Sequence, residues 1–175
     1  MMTLRNQNPK QALGGALVMM SRVYKGMIAG FVAALAVAAL EAAQLWAGPW
    51  VAGFPRLVTV MLGTDSIPWV GWVGHFLVGT LILGPLFGIL CPRMPTEMPE
   101  TKGVVFAVGA FIVMGLTIAP LTGIGMFGMR AGFFTVAWLV LTHVVFGAVM
   151  GNVYARMVGK AWRQERVRDH VHLAH

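Results

Sequence analysis

Three observations predict an all-α fold, an integral membrane four-helix bundle made of two parallel two-helix repeats. The 175-residue chain is 58% hydrophobic and only 11% charged, with a mean hydropathy of +0.75. Soluble domains carry about 25% charged residues, so this chain cannot hide its apolar surface in one water-facing fold. Four apolar runs, 26–47, 68–90, 103–121 and 133–157, are each long enough to cross a bilayer as a helix, which takes roughly 20 residues. Finally, the two halves of the chain resemble each other.

Residues 1–25 read as a cytoplasmic N-terminal segment. Within it, Gln11-Ala12-Leu13-Gly14-Gly15-Ala16-Leu17-Val18-Met19-Met20 is apolar but too short to span, and suits an amphipathic surface segment. The apolar run after Lys25 is expected to be a span; a secretory leader would start on a shorter polar lead. In the connection 48–66, Phe54-Pro55-Arg56-Leu57-Val58-Thr59-Val60-Met61 predicts a short helix at the membrane interface, with its proline in the first turn where no N–H is needed. The connector after the second run, Cys91-Pro92-Arg93-Met94-Pro95-Thr96-Glu97-Met98-Pro99-Glu100, is punctuated by proline. The connection 122–132 carries Gly123, Gly125, Gly128 and Gly132, too many for a regular element. The membrane domain is therefore 26–157, and 158–175 form a basic cytoplasmic tail.

The net charge is +7 and the pI about 10.6. The charge is not spread as a nucleic-acid footprint would be, because no basic stripe with interleaved aromatics lies outside the spans. It marks topology instead. Arg5, Lys10, Arg22 and Lys25 precede the first run, Arg93 and Lys102 lie between the second and third, and Arg156, Lys160, Arg163, Arg166 and Arg168 end the chain. Only Arg56 and Arg130 fall on the other side. The positive-inside rule then places both termini in the cytoplasm of a bacterial inner membrane. Arg163, Arg166 and Arg168 suit anionic lipid headgroups or a partner subunit.

The repeat is legible at several points. Tyr24-Lys25-Gly26 opens the first span and Thr101-Lys102-Gly103 the third. The second and fourth spans share His-x-x-x-Gly, as His75 with Gly79 and His143 with Gly147, each with an upstream tryptophan. Both halves run inside, outside, inside, so the expected pseudo-twofold axis lies along the membrane normal, with the histidines at matching places.

A titratable ring in hydrocarbon is costly and marks a candidate site. The spans also hold one carboxylate, Glu41, with Gln44 a turn away. Three readings fit these residues. In the first, His75 and His143 ligate a b-type haem between the second and fourth spans, and Gly79 and Gly147 leave room for the flat macrocycle. In the second, His75, His143 and Glu41 bind a metal ion or relay protons. In the third, the histidines hydrogen-bond across the bundle and the glycines serve close helix packing.

The remaining features have plainer readings. Cys91 is the single cysteine, so there is no internal disulfide, and no Cys-x-x-Cys motif exists. The 13 methionines read as packing or lipid-facing residues. Trp46, Trp50, Trp69 and Trp72 read as an aromatic belt. The tail Asp169-His170-Val171-His172-Leu173-Ala174-His175 reads as solvated rather than metal-binding. There is no Walker A loop, nucleophile elbow or His-Glu-x-x-His motif.

Several blocks together resemble an uncharacterised family of small four-helix bacterial and archaeal membrane proteins. They are Gly74-His75-Phe76 with Gly79, Cys91-Pro92-Arg93-Met94-Pro95, Lys102-Gly103, and Ala119-Pro120-Leu121-Thr122-Gly123. Further blocks are Gly125-Met126-Phe127-Gly128, His143 with Phe146-Gly147-Ala148, and Gly151-Asn152-Val153-Tyr154. The likeness covers about residues 24–157. It implies the four-helix fold and supports both histidines, and it supplies no activity.

The functional expectation is a small, non-catalytic membrane subunit of a respiratory or photosynthetic electron-transfer complex, holding haem b between His75 and His143. The alternatives are a cofactor-free accessory or assembly subunit packing against a larger membrane complex, and a small transporter or metal-binding membrane protein.

Overall fold

The computed structural model describes residues 9–48, 50–94, 96 and 98–172, with side chains described between residues 13 and 159 apart from Ala47. The described residues are helical with short connections. Helix α1 spans Pro9–Ala47, α2 Phe54–Met61, α3 Pro68–Leu77 and α4 Gly84–Leu90. A π-helical stretch, Val78–Leu83, joins α3 to α4, so the second span is one continuous rod. Helix α5 spans Pro99–Leu116, α6 Ile118–Leu121 and α7 Phe133–His172. Four helical stretches are long and apolar enough to cross a membrane: Leu13–Trp46, Pro68–Arg93, Pro99–Leu121 and Phe133–Gly159. The chain is a multi-pass, all-α membrane protein.

Helix starts follow local chemistry. Pro55, Pro68 and Pro99 all lie in first turns, where the missing N–H is one of the helix's orphan donors anyway. Two helices run past the expected limits. Residues 9–25 continue into the first span without a break, since the alanines, leucines and methionines there tolerate the cost of Gly14 and Gly15. Likewise α7 continues to His172 rather than stopping near 157. At 1.5 Å per residue, these helices of 39 and 40 residues are each about 60 Å long, about twice the hydrocarbon thickness. Residues 1–8 and 173–175, and the side chains of Arg163, Arg166 and Arg168, lie outside the described residues.

The expected short helix is α2, which packs on α3. The glycine-rich connection forms one irregular turn, Met126–Ala131, with Phe127 and Gly128 at positive φ.

The packing makes two hairpins. The first and second spans pair through α1 with α4 and the π-helical stretch, and the third and fourth pair through α5 with α7. Helices α1 and α7 join the hairpins. The pairing depends on missing side chains. A methyl group on Gly26 would collide with the Gly84 carbonyl, and one on Gly88 would collide with the Arg22 carbonyl. In the second hairpin, Gly103 meets Gly147, and Gly151 meets Pro99, in the same way. Backbones so close gain dispersion and weak Cα–H···O contacts.

Two core clusters result. At the end of the bundle that carries both described chain ends, Phe87 stacks edge-on against Phe106 and Tyr154 at centroid distances of 5.4 and 5.3 Å, beside Ala29, Ala33, Phe146 and Met150. At the α2 end, Leu57, Met114 and Leu139 form a smaller cluster.

Candidate functional site

The sequence match between the two histidines is not the match the helix crossing makes. Gly26 faces Gly84 and Gly88, and Gly103 faces Gly147 and Gly151. His75 lies nine residues before Gly84, whereas His143 lies four before Gly147. By this crossing Gly84 is the position that matches Gly147, while Gly79 also takes part, since a methyl group on Gly30 would collide with the Gly79 carbonyl. His75 sits about one helical turn nearer the α2 end, at 1.5 Å per residue.

The π-helical stretch explains how His75 still faces the first span. Nine α-helical residues turn through about 900°, which would point His75 opposite the Gly84 face. A π segment absorbs one extra residue without advancing the turn count. Counted as eight α-helical steps, the offset falls to about 80°, and Gly79 comes within about 40° of Gly84. No such stretch occurs in α7, because four residues separate His143 from Gly147 and the face is kept by simple helical spacing.

His75 is 6% exposed and its Nε2 lies 2.9 Å from the Ala34 carbonyl oxygen of the first span. Gly79 closes the same seam: a methyl group there would sit 2.9 Å from Ala34 Cβ and 3.4 Å from the Phe146 ring. Phe54, Trp72 and Phe76 surround the imidazole at ring distances of 6.0, 6.4 and 5.4 Å. An i−4 carbonyl is already bonded within its own helix, yet its second lone pair remains available. The Ala34 carbonyl is reachable because residues 26, 30 and 34, every fourth in α1, are glycine, glycine and alanine.

His143 has a different partner. Its Nδ1 lies 2.7 Å from the Leu139 carbonyl of its own helix, and its ring packs edge-on against Phe111 of the third span at 5.3 Å. The neighbouring Thr142 hydroxyl bonds to the Trp138 and Leu139 carbonyls rather than to His143. Thus the His75 imidazole bonds across its hairpin, while the His143 imidazole bonds to its own helix and packs on the facing one. The space beside Gly79 and Gly147, expected to admit a macrocycle, is taken by Ala34, Phe146 and Gly103. These residues do not form a haem cradle in this arrangement.

Glu41 is 2% exposed, near the α2 end of the first span. The backbone N–H of Phe54 and the indole of Trp138 stand beside its carboxyl group. A methyl group on Gly53 would collide with Oε2. The carboxyl group thus sits at the N-terminus of α2, where partial positive charge collects. Glu41 Oε1 and Trp138 Nε1 are both buried, and neither closes a hydrogen bond. Glu41 shares Phe54 as a neighbour with His75. Among the described residues no three His, Cys, Asp or Glu side chains gather to hold a metal ion, so Glu41, His75 and His143 do not converge as one ligand set. Gln44 instead donates to the Gly48 carbonyl at 3.3 Å.

Sequence reasoning missed Ala34, Gly53 and Trp138. The four-residue spacing of small residues in α1 carried the signal for Ala34. Nothing in the sequence placed Trp138 opposite Glu41. Of the remaining candidates, Trp46, Trp50 and Trp69 are exposed near the α2 end, as a belt requires. Cys91 is a free, half-buried thiol where the second span ends.

The family model of a family of unknown function, DUF6789, matches residues 20–164. Neither the curated proteins nor the solved structures give a significant match. A match over most of the chain, on the four spans described above, places the protein as a member of the DUF6789 family.

Proposed function

We propose that this protein is a cofactor-free accessory subunit of a larger complex in the bacterial inner membrane, with both termini cytoplasmic and the α2 end facing the periplasm. The observation that carries this reading is the projecting part of α1. Leu13, Leu17, Met20 and Tyr24 are 58–66% exposed and recur at helical spacing along one face. Among the described residues, nothing outside their own helix turn lies within 4 Å of a methyl group placed on Gly14 or Gly15. Further along α1, the Arg22 carbonyl stands opposite Gly88 of the second span. An apolar helical face that continues past its own bundle suits a partner membrane subunit. Gly79, Gly84, Gly88, Gly147 and Gly151, in contrast, are used within the chain and offer little to a partner.

A photo-crosslinking residue at position 17, in native membranes, tests this reading. The expected product is a discrete adduct with another membrane protein, weaker or missing from the lipid-facing position 81. Adducts at both positions with lipid alone would overturn it.

The electron-transfer reading rests on the histidine pair. The carbonyl partners of both imidazoles and the filled glycine positions favour a structural role for that pair. A reduced-minus-oxidised visible spectrum of the natively purified protein separates the two. The accessory reading expects no haem bands; bands lost in both His75→Ala and His143→Ala would restore the electron-transfer role.

A further inference from the structure

A cavity of about 290 Å³ lies at the α2 end, lined in part by Ala52, Arg56, Leu57, Thr122, Ile124 and Thr135. It joins the two hairpins: Ala52 and Leu57 belong to the first connection, and Thr135 begins the fourth span. Its volume is several times the roughly 30 Å³ a water molecule takes. Its lining can hold water, because Arg56 brings an exposed guanidinium and the Thr122 and Thr135 hydroxyls, which donate to the Ala119 and Ala131 carbonyls, keep acceptor capacity.

One lining residue, Ala52, is next in the chain to a neighbour of Glu41. Ala52 lines the cavity and the next residue, Gly53, rests against Glu41 Oε2. Thr135 lines it too, and Trp138 stands three residues on, one turn deeper on α7. The closure between them is a long contact, Ala52 N–H donating to Thr135 Oγ1 at 3.5 Å. Behind it lie a carboxyl oxygen and an indole N–H, both buried and both without a hydrogen-bond partner. Buried polar atoms of this kind are costly unless something fills the gap.

We propose that Glu41 is a proton-binding carboxyl group of the membrane domain, served by water in the cavity at the α2 end. A proton passes from cavity water to Glu41 Oε1 and returns the same way, with no other bond made or broken. Oε2 stays at the α2 N-terminus, and the Trp138 indole N–H contacts the group from the fourth span. The surrounding charged and titratable groups are few. Helix α2 brings Arg56, which is exposed; the second span brings His75, which packs on the Phe54 ring; the fourth span brings Trp138 and, five residues on, His143. Neither histidine is hydrogen-bonded to Glu41: each is committed to a backbone carbonyl. The site thus answers to the water beside it and is independent of any partner at the other end of the bundle.

Infrared difference spectroscopy of the full-length protein in lipid vesicles tests this, with buffer stepped between about pH 5 and about pH 9, between which only histidine and perturbed groups ordinarily titrate. The expected result is a carbonyl band of a protonated carboxyl group that changes with pH, vanishes in Glu41→Gln, and shifts in Trp138→Phe. Transfer to deuterated buffer should shift the band within minutes, since cavity water reaches the group. Glu41→Gln keeps the size and shape of the side chain; if it fails to fold, the Trp138→Phe shift and the deuterium shift still decide the matter. A pH-insensitive carboxyl spectrum, or a band unaffected by both substitutions, overturns the proposal. A Glu41 band that resists deuterium exchange overturns the route through the cavity.

Discussion

The two hairpins use one device at one end and different devices at the other. Where their chains enter from the connector end, both rest on glycine against backbone: Gly26 on Gly84, and Gly103 on Gly147. Toward the α2 end they diverge. The first hairpin keeps small residues to Ala34 and inserts His75 onto its carbonyl. The second places Phe111 eight residues beyond Gly103, where the first has Ala34 eight beyond Gly26. The Phe111 ring fills the seam, and His143 turns back to its own helix. A duplicated hairpin thus preserves its close crossing and varies what fills the wider gap. Repeats of this kind have a backbone contact that tolerates no side chain and a neighbouring gap that tolerates several.

The largest effect should come from filling the shared crossing. In Gly147→Leu the new Cβ meets the Gly103 carbonyl and stands 2.7 Å from Ala107 Cβ. Neither backbone can yield without parting the helices. We expect destabilisation of about 3 kcal/mol or more, at or above the upper part of the range for overpacked cores. Denaturant titration in micelles measures it. Gly109→Leu is the control, because among the described residues nothing outside its own helix turn stands within 4 Å of a methyl group placed there; equal losses at both sites would mean that the crossing has no special role.

The second test separates the hairpins by geometry. Removing one residue from a membrane helix rotates everything on one side by about 100°. Within Val78–Leu83 the extra residue of the π segment can absorb the loss. Deleting Ile82, which is 57% exposed, should convert the stretch to α-helix and keep His75 facing Ala34. Deleting Val144 in α7 has no such reserve and should turn His143 away from Phe111. Disulfide trapping between cysteines placed at 34 and 75, and at 111 and 143, reads both cases. Retained crosslinking for the second pair, or loss for the first, would refute the π-segment account.

Much of the fold was legible because it follows from averages. Four long apolar runs need no tertiary information, and the prolines mark helix starts. The ends of α1 and α7 were not legible from the spans alone. Residues 9–25 are good helix formers that need no membrane, so hydropathy underestimates the helix. The site was legible in its residues and not in its register. His-x-x-x-Gly reads identically in both halves, yet in the first the π segment carries the crossing on from Gly79, opposite Gly30, to Gly84, opposite Gly26. A π segment has no compositional mark in Val-Gly-Thr-Leu-Ile-Leu, and nothing local distinguishes a glycine that touches Ala34 from one that touches Gly103.

The smallest effects should come from the histidines, and their difference is informative. His75→Ala removes a buried hydrogen bond between two spans and leaves a small gap among Phe54, Trp72 and Phe76. Interhelical hydrogen bonds in membranes are worth about 0.6–2 kcal/mol, so a loss in that range is expected. His143→Phe removes only a bond within its own helix and keeps an aromatic ring against Phe111. The Leu139 carbonyl retains the bond of the helix ladder, so no polar group is stranded. The expected loss is below about 0.5 kcal/mol, the lower limit for a typical net hydrogen bond. Both variants go through the same denaturant titration as Gly147→Leu. A loss at His143 equal to or above that at His75 would mean that this imidazole holds something the chain itself does not supply. The cofactor-free reading would then fail at that residue, while the first hairpin's clasp on Ala34 would stand.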